Sequence, residues 1–330
     1  MESASAKMTR TERRRELLVS WVMRKYVKFL VLGALSSCAL LNLALHAGAG
    51  LQYYCQDECL AGVLKGPVKT LDKDVVLYIR DHWVDAPAPR GMYKATFPLD
   101  NPPWATVGYW GEGYHFINNY FKQYKNPGTF MEIGAKDGEF MSLTLFLEQK
   151  LGFSGLLVEP NPRDYQKLRA AGRSSYSINA CATPGGSHRK DVLWMQDPPE
   201  NLPEVVRHVQ EGNSILLQYV QQEERSLGRT LEVQCFNAGA MALAALKTVK
   251  VDLLVISTHA GHLDILTSIH LGIKFRWTMF FCQMVVVLVS LVASEDWKTF
   301  MSIARSRGLT PVFNKYNFHI LIPEAEAEHV

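Results

Sequence analysis

One apolar run near the start constrains this chain more than any other feature: FLVLGALSSCALLNLAL, from Phe29 to Leu45, with HAGAG following. It carries no charge. A helix rises about 1.5 Å per residue, so roughly 20 residues of this kind cross a hydrocarbon core about 30 Å thick. Ser36, Ser37 and Cys38 can satisfy their polar groups on the helix's own carbonyls, which leaves Asn42 as the only strongly polar member. Lys7, Arg10, Arg13, Arg14, Arg15, Arg24, Lys25 and Lys28 precede the run. The first basic residue after it is Lys65, with Asp57 and Glu58 in between. Positive charge stays on the cytosolic side, so the segment reads as one transmembrane helix with the N-terminus in the cytosol and everything after about residue 49 in the secretory lumen. A cleaved signal peptide has a shorter apolar core, so a core of this length is expected to remain as an anchor.

The lumenal part is expected to be globular, because 48% of the residues are hydrophobic and only 20% are charged, a balance that supports a packed core. A net charge of +3 gives no basis for nucleic-acid binding. The Arg13-Arg14-Arg15 tail is expected to fix orientation and to meet anionic lipid; an export signal is the other reading of it. Residues 50–110 read as a stem. They hold Cys55 and Cys59, which bridge each other or link two chains, and the Pro-rich stretches at 86–89 and 101–103. Asp72-Lys73-Asp74 has the letters of a metal-binding DxD, but Lys73 would repel a divalent cation.

From 111 onward strands and helices alternate, the signature of βαβ units and a mostly parallel α/β sheet. A helix with aromatic spacing covers 114–124 and stops at Asn126-Pro127-Gly128. Strands follow at 129–133, 155–159 and 175–181, with helices at 142–150 and 163–171 between them. The valine-rich half of a second apolar run, 284–292, reads as a buried parallel strand rather than a second span.

The chemistry is expected where the first of these strands ends. Gly134-Ala-Lys-Asp-Gly138 is a small-residue turn that leads into a helix, a place where backbone N–H groups favour an anionic or polar ligand. Glu159, at the end of the next strand, is placed to accept both hydroxyls of a ribose. The spacing is not G-x-G-x-x-G, so nothing points to NAD. The plainer reading is a tight turn at Gly134 and Gly138 and a helix-capping Glu159.

FMEIGAKDGEFMSLTLFLEQKLGFSGLLVEPNPRDYQKL (130–168), SINACATP (177–184) and VQCF (233–236) resemble blocks of the FkbM-type methyltransferase domain. Joined to a basic cytosolic tail and one anchor, that domain is similar to the Star group of membrane proteins. The resemblance implies a Rossmann-like class I methyltransferase fold over 111–323, after a tail (1–28), an anchor (29–49) and the stem, and before an acidic end (324–330). It also implies S-adenosylmethionine over Glu132, Gly134, Asp137 and Gly138, with Glu159 on the ribose. Further, it implies a single-pass type II protein of the endoplasmic reticulum and Golgi membranes, endosome and plasma membrane being further stations. There such a protein assists export of membrane-tethered EGF-like growth-factor precursors, the EGF-receptor ligands.

The family's later acidic motif is altered. On the strand that starts near Asp252, the acids before and after the turn are Ser257, His259 and His262 here. Neutral serine neither removes a proton nor holds a metal, so a pseudo-methyltransferase is expected and no metal site. His259 is the one candidate for a replacement base. An active lumenal O-methyltransferase is the alternative. Cys181 and Cys235 both fall in shared blocks, and in an oxidising lumen they are candidates for a disulfide.

Overall fold

The computed structural model describes residues 71–106, 108–183, 188–248, 250–258, 261–268, 281–288, 294–316 and 318–324, together with 23, 25, 26 and 327. The expected anchor, the Cys55 and Cys59 pair, His259 and the acidic end except 324 and 327 lie outside them. Among the described residues no helix is long and apolar enough to cross a membrane.

The chain forms an α/β fold with a mostly parallel sheet. In order come α1 (Lys73–His82), β1 (Val84–Asp85), α2 (Gly108–Lys122), β2 (Thr129–Ile133), α3 (Leu145–Leu151), β3 (Ser154–Val158), α4 (Pro162–Ala171) and β4 (Tyr176–Ile178). After them come β5 (Cys181–Ala182), β6 (Arg189–Gln196), α5 (Glu204–Glu211), β7 (Ser214–Leu216), β8 (Gly228–Phe236) and α6 (Ala238–Leu246). The chain continues through β9 (Lys250–Ile256), α7 (His262–Ser268), β10 (Phe281–Leu288), α8 (Ser294–Ser306), β11 (Leu309–Lys315) and β12 (Phe318–Pro323). The main sheet has the order β1-β4-β3-β2-β9-β10-β12-β11 and a second sheet β5-β8-β6-β7. β4, β3, β2, β9 and β10 are mutually parallel, while β1 and β12 run against them.

Successive strand residues face opposite sides of the sheet, and both sides are covered. Met131, Ile133, Leu156, Val158, Leu254 and Ile256 share one core with Val75 and Ile79 of α1, Met241 of α6 and Phe300 of α8. Phe130, Leu157, Leu253 and Val255 share the other with Tyr114, Ile117 and Phe121 of α2, Phe146 of α3 and Leu168 of α4. Burial on both faces explains why the strands read as continuous apolar runs. The start of the sheet is fastened by Asp252, which accepts hydrogen bonds from Thr129 N–H at 2.7 Å and Thr129 Oγ1 at 3.1 Å.

Local signals set the ends of the elements. Asn161 caps α4, accepting from Arg163 N–H at 3.0 Å; Pro162 begins the helix with its φ already helical, and Gly172 closes it at φ 72°. The strand expected at 284–292 is β10, at 281–288, in parallel register with β9.

Two elements inside the expected stem, α1 and β1, pack with the α/β unit. Val75 and Ile79, four residues apart on one face of α1, are fully buried in the core, and β1 adds an antiparallel edge strand. Asp72 is the N-cap of α1 and accepts from Asp74 N–H at 2.9 Å.

A buried guanidinium organises the segments around β2. Arg173, 4% exposed, donates Nε to Glu148 at 3.0 Å, Nη1 to the Gly138 carbonyl and to Ser142 Oγ, and Nη2 to Thr144 Oγ1 at 3.2 Å. Burial works to raise the Glu148 carboxyl, but Arg173, the Ser175 hydroxyl and the Ser174 N–H outweigh it and hold the group below its usual range. Replacing Arg173 with Met leaves two buried acids, Glu148 and Glu132, without a counter-charge. Arg173→Met is expected to lower unfolding free energy by about 3–5 kcal/mol in urea titrations, and adding Glu148→Met should recover much of that loss.

Cys181 and Cys235 are register partners on the parallel strands β5 and β8 and are joined by a disulfide, with Cα atoms 4.4 Å apart. The bond closes the neck of the segment that carries the second sheet. Changing both cysteines to serine should lower stability by roughly 2–5 kcal/mol, read as a lower Tm.

Candidate functional site

The order of the main sheet reverses between β2 and β9. The chain goes from β2 outward through β3 to β4, then returns to β9 on the other flank of β2. Connections leaving neighbouring strands on either side of such a point diverge, and a crevice opens beyond their carboxyl ends. Here the crevice has a volume of about 560 Å³, its open mouth included.

Its floor is made by the strand ends. After β2 come Gly134 and Lys136, after β3 Glu159 and Pro160, and after β9 Ser257 and Thr258. Gly134 N–H and Ala135 N–H both donate to the Val158 carbonyl, at 2.9 and 3.1 Å, and Ser257 N–H donates to the Ile133 carbonyl at 2.8 Å. Gly134 stands at φ 84°, and a Cβ there would lie 2.3 Å from the Ser257 carbonyl oxygen. Glycine is therefore required for the β2 and β9 exits to lie this close.

The roof comes from the second sheet through Cys181, Leu193, Ser214, Ile215 and Leu216. Tyr219, in the turn after β7, crosses to the far wall: its hydroxyl donates to Asp264 Oδ2 at 2.5 Å, and its ring covers Gly261, where a Cβ would meet it at 2.8 Å. Burial, chiefly, and the Asp264 carboxylate hold the Tyr219 phenol well above its ordinary pKa, so it is a donor at all physiological pH. Thr258 Oγ1 is enclosed and has no hydrogen-bond partner among the described residues.

Glu159 is 1% exposed, yet it borders the crevice. Its Oε2 accepts from Lys136 N–H and its Oε1 from Asn161 N–H, both at 2.8 Å. Each carboxylate oxygen has two acceptor sites, so one site on each remains for a ligand hydroxyl. Burial pushes this carboxyl up to about 7, with the Asp164 carboxylate adding to the rise and the two N–H groups and the Lys136 ammonium opposing it.

Of the residues singled out from the sequence, Gly134, Glu159 and Ser257 meet in this crevice, and Cys181 of the candidate disulfide lies in its wall. Glu132, Asp137 and Gly138 do not line it. Glu132, 2% exposed, accepts from Ser142 Oγ at 3.0 Å, Thr144 Oγ1 at 2.5 Å and Leu143 N–H at 3.3 Å. Burial raises its pKa against the pull of Arg173 and these donors. Asp137 accepts from Glu139 N–H at 2.9 Å and Phe140 N–H at 2.8 Å, and Gly138, at φ 76°, packs on Leu168. These three shape the turn. The expected helix opening is also displaced, since α3 begins only at Leu145. No helix N-terminus faces the crevice at this turn. Lys136, Thr258 and the Tyr219–Asp264 clasp are not among the residues expected from the sequence. Lys136 had a signal, being a lysine inside a glycine turn; the others join segments far apart in the chain.

The raised Glu159 pKa has a defined effect on stability. Folding binds a proton to this group between its unfolded pKa, about 4.3, and its folded value near 7. Its contribution therefore declines as pH rises through that window and is level above it. Glu159→Gln should gain on the wild type by on the order of 3 kcal/mol between about pH 4 and pH 8, in urea unfolding followed across pH. Parallel curves would show that the carboxyl does not titrate there.

Among the described residues no group of His, Cys, Asp and Glu is placed to hold a metal. The chain matches no family profile and no curated protein. Among solved structures, the precorrin-6y C5,15-methyltransferase of Geobacter metallireducens is similar at 10% identity, over 70% of this chain and 92% of that one, with a TM-score of 0.30.

Proposed function

We propose that this chain is a membrane-anchored protein whose lumenal α/β domain, a Rossmann-like class I methyltransferase type, holds an adenosyl ligand without transferring a methyl group. On this reading it is a Star-like factor that assists passage of membrane-tethered EGF-like growth-factor precursors from the endoplasmic reticulum to the Golgi, and onward to endosomes. The trafficking role rests on the sequence resemblance and on the arginine-flanked apolar run at 29–45.

The observation that carries the ligand reading is Glu159: a buried carboxyl at the switch-point crevice, held by two backbone N–H groups and still able to accept two more bonds. A vicinal diol such as that of ribose fits this arrangement. S-adenosylmethionine is the member of the adenosyl class that the resemblance implies. The reading of binding without turnover is supported by the far side of the crevice, where β9 ends in the hydroxyls of Ser257 and Thr258. A hydroxyl is a poor general base near neutral pH. The alternative, an active O-methyltransferase, draws on the same Gly134 turn and on Glu159.

Three measurements on the full-length chain in detergent or microsomes test this. Adenosine should bind in calorimetry and be lost in Glu159→Ala. Incubation with radiolabelled S-adenosylmethionine should transfer no methyl to lumenal hydroxyl acceptors; turnover that disappears in Glu159→Ala would establish the enzyme instead. A C-terminal epitope should resist protease added outside intact microsomes, and its digestion would reverse the proposed orientation.

A further inference from the structure

The crevice contains only two ionisable side chains among its described lining residues, Glu159 and Lys136. Glu159 is accounted for by its N–H partners and the diol position. Lys136 is not. It sits in the β2 turn at φ 51°, a left-handed backbone that a residue with a Cβ adopts at a cost of about 1–2 kcal/mol and that Asn tolerates better. The conformation is held because the Lys136 N–H is bonded to Glu159 Oε2. Thus the acid that would hold a ribose also fixes the backbone that presents the lysine. The side chain is half-buried, and no ion pair of its ammonium is found among the described residues. Burial lowers its pKa, opposed by the charges of Glu159, Asp164 and Asp137.

Those three carboxylates are engaged elsewhere: Glu159 by two N–H groups, Asp137 by Glu139 and Phe140 N–H, and Asp164 by Lys167 and the Asn161 amide. The backbone offers little to an anion at this turn. Glu139, Phe140 and Leu143 N–H groups are already bonded to Asp137 and Glu132, and α3 begins seven residues beyond Gly138. The Lys136 ammonium is the group here able to meet negative charge. Lys136 follows β2 and Glu159 follows β3, neighbouring strands about 5 Å apart.

We propose that Lys136 sets the charge of the ligand: the crevice takes a nucleoside phosphate, ribose on Glu159 and phosphate on the Lys136 ammonium, and disfavours the net positive S-adenosylmethionine. This rests on the reading of the crevice as a nucleoside site and names the class of ligand in it. A lysine binds phosphate as a point charge, and an ammonium lining the crevice repels a sulfonium for the same Coulombic reason.

Calorimetric titration of the full-length protein with adenosine, AMP and S-adenosylmethionine tests it. AMP should bind about 10-fold or more tighter than adenosine, the scale of one charge-assisted hydrogen bond, and S-adenosylmethionine more weakly than AMP. Lys136→Asn, which suits the left-handed turn, should erase the AMP advantage over adenosine, and Lys136→Arg should retain it. The advantage should shrink as salt is raised. Equal affinities for AMP and adenosine in the wild type, or an advantage that survives in Lys136→Asn, would overturn the role of Lys136. Adenosine binding that is lost in Glu159→Ala would in that case still stand for the nucleoside site. Failure of all three ligands to bind would overturn both.

Discussion

The arrangement around β2 depends on one buried cation. Arg173 lies in the connection between α4 and β4, and its guanidinium reaches Glu148 on α3, the carbonyl of Gly138 and the hydroxyls of Ser142 and Thr144. Those hydroxyls in turn bond Glu132 at the end of β2. One planar group with five donors therefore fastens a helix, a turn and a strand end to each other. Two carboxylates remain in the interior because a cation and hydroxyl donors surround them; without those partners their desolvation would be prohibitive. The crevice is shaped by the outer side of this same turn.

This sharing divides two similar acids between two tasks. Glu132 and Glu159 lie at or just beyond the ends of adjacent parallel strands and are both buried. Glu132 faces the α2, α3 and α4 layer, where Arg173 and the hydroxyls occupy its oxygens, and it works as a strut. Glu159 faces the crevice, where only two backbone N–H groups hold it, and it keeps acceptor capacity for a ligand. The environment of each carboxyl assigns the role, and the residue type does not.

The second sheet makes an open strand-end crevice into an enclosed one. β5 leaves the main sheet immediately after β4, the chain runs through β6, β7 and β8, and it re-enters at Asn237, which caps α6. The Cys181–Cys235 disulfide closes the neck of this excursion, and the Tyr219–Asp264 hydrogen bond fastens its far part across the mouth. The roof residues Leu193, Ile215 and Leu216 are apolar and the floor is polar. A ligand with a flat apolar part and hydroxyls at its edge matches both surfaces.

The sequence by itself determined the local elements of the fold, because each carries its own signal. Thr129–Ile133 was legible as a strand from its apolar run after Asn126-Pro127-Gly128, and 163–171 as a helix after Asn161-Pro162. Gly134 and Glu159 were legible as crevice residues because a turn after one strand and an acid after the next occupy predictable ends of a parallel sheet. Only the tertiary structure decided the rest. Lys73–His82 is too short to declare itself as core until Val75 and Ile79 are seen buried, so it passed for stem. The second sheet pairs strands separated by long, irregular connections, and register of that kind leaves no periodicity in the chain. The face taken by Glu132, the cation that meets it and the clasp over the mouth are relations between segments distant in sequence. They exist only once packing has chosen which side of each strand meets which helix.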